Sequence, residues 1–150
     1  MTQPRQMRQE DIKAVGDLWK TEYKNEHPLD PDEKLNSRLD SMVQDDLPEA
    51  VAASSGYVCE ARGKIIGFMT LTTPRSKPYI DNLYVSSEHR RQRVATKLVT
   101  KAQELHDSLT LHVFQDAIPA IKLYEKCGFK CKYCKVGENK DKNSMEWSRR

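Results

Sequence analysis

The residues best suited to chemistry lie between Ile80 and Leu98, IDNLYVSSEHRRQRVATKL. A strand pattern runs through a polar turn into Arg90, Arg91 and Arg93, then into an amphipathic helix near Val94. A helix N-terminus presents backbone N–H groups without helical partners and the positive end of the helix dipole. Arginines at the same place add charge and forked donors that suit phosphate. The chemistry is that of an anion site, supplied by the backbone from Gln92 to Thr96 and by the arginines. Arg93 carries a Cβ where a glycine would let a ligand approach the amide most closely. Because the helix begins here, its backbone is expected to be helical with negative φ. The amide then stays usable, and the side chain can swing outward or contact a phosphate.

The charge distribution agrees with an anionic ligand. Net charge is +3, too small to argue for nucleic acid. Residues 1–60 carry 7 Lys and Arg against 13 Asp and Glu, whereas residues 61–150 carry 18 against 9. The C-terminal part suits a polyanion and the N-terminal part a cation. Metal chemistry is not expected. Cys127, Cys131 and Cys134 are closely spaced, but alternation sends the last two to opposite faces of a strand, with Cys127 at a helix end and Cys59 far away. His27, His89, His106 and His112 have no ligand spacing.

These residues are positioned by a mixed set of elements. Arg5 to Met7 reads as a short strand. Ile12, Val15, Leu18, Trp19 and Tyr23 recur at helical spacing from Glu10 to about Lys24, and His27-Pro28 ends that helix. Asp30-Pro31 opens a second helix with the stripe Leu35, Leu39, Met42 and Val43, expected to stop before Pro48; Ala50 to Ser55 reads as a loop. Strands follow at 57–62 and 64–72 around a tight turn at Gly63, and again at 79–85. After the arginine turn come a third helix (Val94, Leu98, Ala102, Leu105) and a strand at 109–114. A fourth helix, 117–126, has Pro119 in its first turn and Gly128 as its stop. Residues 129–136 and 144–148 read as closing strands joined by a turn at 137–143. This order implies an α+β fold with a mixed, mostly antiparallel sheet of about six or seven strands and about four helices on both faces.

At 150 residues the chain is expected to be one domain, 1–150. No apolar run approaches the ~18 residues of a membrane span, and the N-terminus lacks the apolar core of a signal peptide. A cytoplasmic protein with free thiols, not associated with membranes, is expected.

Two motifs carry a family resemblance. Arg90-Arg91-Gln92-Arg93-Val94-Ala95 resembles the acyl-CoA turn of the GNAT superfamily of N-acetyltransferases, Arg/Gln-x-x-Gly-x-Gly/Ala, with Arg93 in place of the first glycine. Ala120-x-x-x-Tyr124-Glu125-Lys126-Cys127-Gly128-Phe129 resembles the closing motif of that family, and the order of elements matches nearly throughout. The resemblance implies acetyl-CoA as co-substrate. Arg90, Arg91, Gln92, Arg93, Val94, Ala95 and Thr96 would hold its phosphates. The edge Leu83, Tyr84 and Val85 would pair with the pantetheine arm, opposite His112 to Phe114, with Phe114, Ala117 and Lys126 as further coenzyme contacts. The family often has an asparagine at the position of Ala117, which here has Asp116 beside it.

In the family the tyrosine corresponding to Tyr124 gives a proton to the leaving thiolate, a role open to a phenol with a pKa near ~10. A carboxylate on the fourth strand, here Asp81, serves as general base, with Glu60 a weaker candidate. The acceptor groove, between the first two helices, holds Glu22, Glu26, Asp30, Asp32 and Glu33 and so favours a primary amine of a small molecule, protein or peptide. The expected activity is direct acetyl transfer in a ternary complex, by a monomer or homodimer. The alternative is an acyl-CoA-binding module of the same fold that transfers nothing.

Overall fold

The computed structural model describes residues 3–74, 77–115, 117–133 and 142–149. Its elements are β1 (Arg5–Gln6), α1 (Ile12–Glu26), α2 (Asp32–Ser41), α3 (Leu47–Ala52), β2 (Gly56–Ala61), β3 (Lys64–Thr72), β4 (Tyr79–Val85), α4 (Val94–Leu105), β5 (Ser108–Phe114), α5 (Ile118–Lys126), β6 (Lys130–Tyr133) and β7 (Lys142–Ser148). Seven strands follow the order β1-β2-β3-β4-β5-β7-β6. The pairings β1–β2, β2–β3, β5–β7 and β6–β7 are antiparallel, and β4–β5 is parallel. The expected closing strand ends, among the described residues, at Tyr133; the turn expected at 137–143 lies mostly outside them.

The residues form two compact units, Met1–Thr70 with Asn82–Leu98 and Leu71–Asp81 with Val99–Arg150. In the first, Ile12, Val15 and Trp19 of α1 pack with Leu35, Met42, Leu47, Val58 and Phe68. Side chains alternate along a strand, so Gly67 faces the other side of β3, where it meets Val94 at the start of α4. The first three helices and the head of α4 therefore cover opposite faces of β3. The β2–β3 hairpin turns on Arg62 (φ 52°) and Gly63 (φ 77°), the two positive dihedrals of a type I′ turn. Asp11 anchors the entry to α1. It is buried, accepts hydrogen bonds from Arg5 (2.9 and 3.1 Å) and the Arg8 N–H (2.8 Å), and has its pKa lowered chiefly by the Arg5 bond.

The second helical segment corrects the sequence reading. It does not stop before Pro48. Five residues, Met42–Asp46, form a π-helical turn, and α3 continues to Ala52, so only residues 53–55 link it to β2. The Leu47 N–H reaches back to the Met42 carbonyl, five residues away, and Pro48 follows within the first turn of α3. A wide turn ahead of the proline spares the carbonyl that its ring would strike in an unbroken α-helix.

In the second unit, β5 pairs with β7 from Ser108↔Ser148 to Phe114↔Lys142. Leu109, Leu111, Val113, Met145, Val99, Ala102 and Phe129 are buried there. Cys59 and Cys127 are free thiols, whereas Cys131 is disulfide-bonded, which departs from the expected free state.

Candidate functional site

The first unit holds the arginine turn. At the end of β4 the Ser86 N–H donates to the Ile66 carbonyl of β3 (2.8 Å), fixing where the strand stops. Ser87–Gln92 form a 3-10 turn, and the next residue, Arg93, is left-handed at φ 59°, ψ 28°. The expected negative φ is therefore wrong. The 3-10 turn comes before α4, and the positive φ at residue 93 stands where the chain passes from one into the other. A right-handed residue followed by a left-handed one turns successive N–H groups toward a common point, a concavity that suits an anion. Val94, Ala95 and Thr96 then supply the first-turn amides of α4, and the Arg93 carbonyl accepts the Lys97 N–H (3.0 Å). Arg93 is exposed. The side chains of Arg91 and Gln92 lie outside the described part of the structure.

A left-handed residue with a side chain costs roughly 1–2 kcal/mol relative to glycine. Arg93→Gly is therefore expected to raise the thermal midpoint by about 2–4 °C, after allowing for the freer unfolded chain. A lower midpoint, measured by circular dichroism, would contradict the strain.

The turn is tied from beneath. Glu22, expected at an acceptor mouth, has a side chain only 3 % exposed. Its carboxylate accepts the Ser87 N–H (3.2 Å) and an Arg90 Nη (2.9 Å). Gly67 is a second supporting residue, which the sequence reading did not single out. A Cβ there would stand 2.7 Å from Val94 Cγ1 and 3.4 Å from the Tyr84 carbonyl oxygen.

On the other face, Tyr84 stacks on Phe68, centroids 5.7 Å apart, and Trp19, Tyr23 and His27 form a run of ring contacts at 5.0 and 4.3 Å. Burial raises the pKa of the Tyr84 phenol, and the charge of Glu26 adds to the shift. Glu26 itself is accessible, yet crowding by surrounding protein is the largest influence on its carboxyl and raises its pKa; Glu22 adds to this while His27 and Arg90 oppose it. Asp30 is partly committed, accepting the Tyr23 hydroxyl (3.2 Å) and lying 3.7 Å from Lys34 Nζ. Leu83 and Val85 are half-buried.

The second unit carries the other expected residues. Among the described residues, β4 pairs with β5 at Tyr79↔Thr110 and Ile80↔Leu111. Asp81 is exposed. Tyr79 packs edge-on against His112 at 5.2 Å, its pKa raised by burial and then by Asp81. Tyr124 is buried on α5, 9 % exposed, its ring 5.9 Å from Phe129. Gly128, at φ 95°, ends the helix and lets the Phe129 N–H donate to the Tyr124 carbonyl (2.9 Å). Ala117 caps α5, its carbonyl accepting the Ile121 N–H (3.0 Å); Phe114 is half-buried, Lys126 is exposed, and Asp116 lies outside the described residues.

Known proteins share this fold. Residues 12–129 match the Acetyltransferase (GNAT) family. The chain is 27% identical over 127 residues to the peptidyl-lysine N-acetyltransferase YiaC of Escherichia coli K12, covering 83% of this chain and 81% of that one. It is 28% identical over 129 residues to the peptidyl-lysine N-acetyltransferase YjaB of Salmonella typhimurium, covering 84% and 81%. The fold superposes on the PaiA N-acetyltransferase of Thermoplasma acidophilum in complex with coenzyme A, with a TM-score of 0.82, 17% identity and 99% of each chain covered.

Proposed function

The chain belongs to the GNAT acetyltransferase family and is an acetyltransferase, and we propose that it moves the acetyl group of acetyl-CoA to the side-chain amine of a lysine in a protein or peptide. The observation that carries the donor assignment is the left-handed Arg93 between a 3-10 turn and α4, a backbone form that turns successive N–H groups toward one point and that glycine adopts without strain. The coenzyme A held by the Thermoplasma relative supports the same donor. The acceptor assignment is supported by the two bacterial peptidyl-lysine relatives and by the acidic charge of residues 1–60.

In this reading one domain, 1–150, does the work. The amides from Gln92 to Thr96, with Arg90, Arg91 and Arg93, hold the donor's phosphates. The β4 edge at Leu83, Tyr84 and Val85 pairs with its amide arm. Phe114, Ala117 and Lys126 complete the donor side. Glu26 and Asp30 attract the acceptor's ammonium. Asp81 takes a proton from it through water. The free amine attacks the thioester carbonyl, the C–N bond forms and the C–S bond breaks, and Tyr124 gives its proton to the departing thiolate.

Calorimetric titration with acetyl-CoA, followed by a thiol-release assay on lysine peptides, free polyamines and peptide N-termini, tests the proposal. Binding with turnover on lysine peptides is expected. Absence of binding overturns the donor assignment, and binding without release on every amine returns the reading of a binding module. In the same assay Glu26→Gln is expected to raise the KM for the amine by about 10-fold, the scale of one lost charged hydrogen bond, and to leave that for acetyl-CoA unchanged. Because the Glu26 pKa is raised, its attraction for an ammonium sets in at higher pH than an ordinary glutamate would give.

A further inference from the structure

A buried carboxylate with two protein donors needs a reason to be there, since placing a charge out of water is unfavourable unless it is paired and hydrogen-bonded. Glu22 continues the inward stripe of α1 formed by Ile12, Val15 and Trp19. One carboxylate oxygen accepts the Ser87 N–H and the other accepts an Arg90 Nη, so the two bonds fix both the turn backbone and the arginine. Arg90 remains 57 % exposed at its side chain. Only one of the five N–H donors of a guanidinium is needed for the 2.9 Å contact with Glu22.

We propose that Glu22 is the positioning residue of the donor site: it sets the height and direction of the Ser87–Gln92 turn and aims the Arg90 guanidinium toward the phosphates. This rests on the assignment of that turn to acetyl-CoA. The role differs from that expected of an acidic residue at an acceptor mouth, and also from a simple charge effect. The Glu22 charge offsets that of Arg90, so the pair adds no net attraction for an anion. Its contribution is geometric.

The sign of one substitution separates the three possibilities. Glu22→Gln deletes a negative charge next to a polyanion site, so electrostatics alone would tighten acetyl-CoA binding. The amide also replaces one acceptor oxygen by a donor, which cannot satisfy both the Ser87 N–H and Arg90. If Glu22 positions the turn, the KM for acetyl-CoA rises by about 10-fold, kcat at saturation stays within about 3-fold, and the amine KM does not move. An unchanged or lowered acetyl-CoA KM overturns the proposal, as does a rise confined to the amine KM.

Arg90→Gln, at an exposed side chain, provides a second arm that keeps the test alive should Glu22→Gln fold poorly. It is expected to raise the acetyl-CoA KM as well, and the double variant is expected to be no worse than the more impaired single one. An Arg90→Gln protein with unaltered acetyl-CoA KM also overturns the proposal. Titration of the wild-type protein separates the two levels of failure. If wild-type protein does not bind acetyl-CoA, the donor assignment falls. If it binds and Glu22→Gln binds equally well, only the positioning role falls.

Discussion

Tyr124→Phe is expected to lower kcat by about 100-fold or more while acetyl-CoA affinity stays within about twofold. The substitution removes one oxygen and nothing else. The ring keeps its place on α5 and its contact with Phe129, and the backbone bond from the Phe129 N–H to the residue 124 carbonyl is independent of the side chain. A melting curve measured beside the kinetics separates a loss of fold from a loss of chemistry. A thiolate leaving without a proton donor is the poorer leaving group, and the loss should appear in kcat and kcat/KM alike, the pattern of an interaction made only in the transition state. Steady-state kinetics in acetyl-CoA and lysine peptide measure it. A variant with kcat within a few-fold of wild type would remove Tyr124 from the reaction.

The second large effect is expected away from any reacting group. Gly67→Ala should destabilise the protein by about 1–3 kcal/mol, the usual penalty for overfilling a packed position, and weaken acetyl-CoA binding with it. The added methyl would meet Val94 Cγ1 at 2.7 Å, and Val94 is itself 1 % exposed, with little room to retreat. The head of α4 must then move away from β3, carrying the Arg93 carbonyl and the first-turn amides. The remedy is specific: Gly67→Ala combined with Val94→Ala should recover most of the stability, because the second change vacates the space that the first fills. Denaturant melts of the three variants and acetyl-CoA titrations test this. Additive losses in the double variant would show that the crowding argument is wrong.

Much of this was legible in the sequence because it rests on local rules. The α1 stripe, the tight turn at Gly63, the start of α5 around Pro119 and its stop at Gly128 follow from periodicity and backbone preference, although the turn takes in Arg62 as well. The arginine turn and Tyr124 stood out through their motifs. What escaped depended on partners distant in the chain. Glu22 belongs to an inward stripe, and an acid on such a stripe implies donors that reach it, but nothing local names Ser87 or Arg90. Gly67 looks like an ordinary strand residue until α4 lies across it. The sign of φ at Arg93 escapes because the sequence places the start of the helix at that residue, whereas the chain changes direction there before α4 begins. Pro48 reads as a stop because its ring breaks an ordinary α-helix, whereas the π-helical turn before it accommodates the ring and leaves Met42 and Leu47, five residues apart, both buried.

That five-residue step also bears on how chains of this kind change length. A π-helical turn is an α-helix that has absorbed one additional residue without rotating the turns beyond it. Removing one residue from an ordinary α-helix turns everything beyond it by about 100°. Removing one of the exposed residues between Met42 and Leu47 would instead shorten the step from five to four, and Leu47 and Ala50 would still face inward. The Met42–Asp46 turn is thus a seam at which a lineage can gain or lose a residue while the helix before it and the strand after it keep their register.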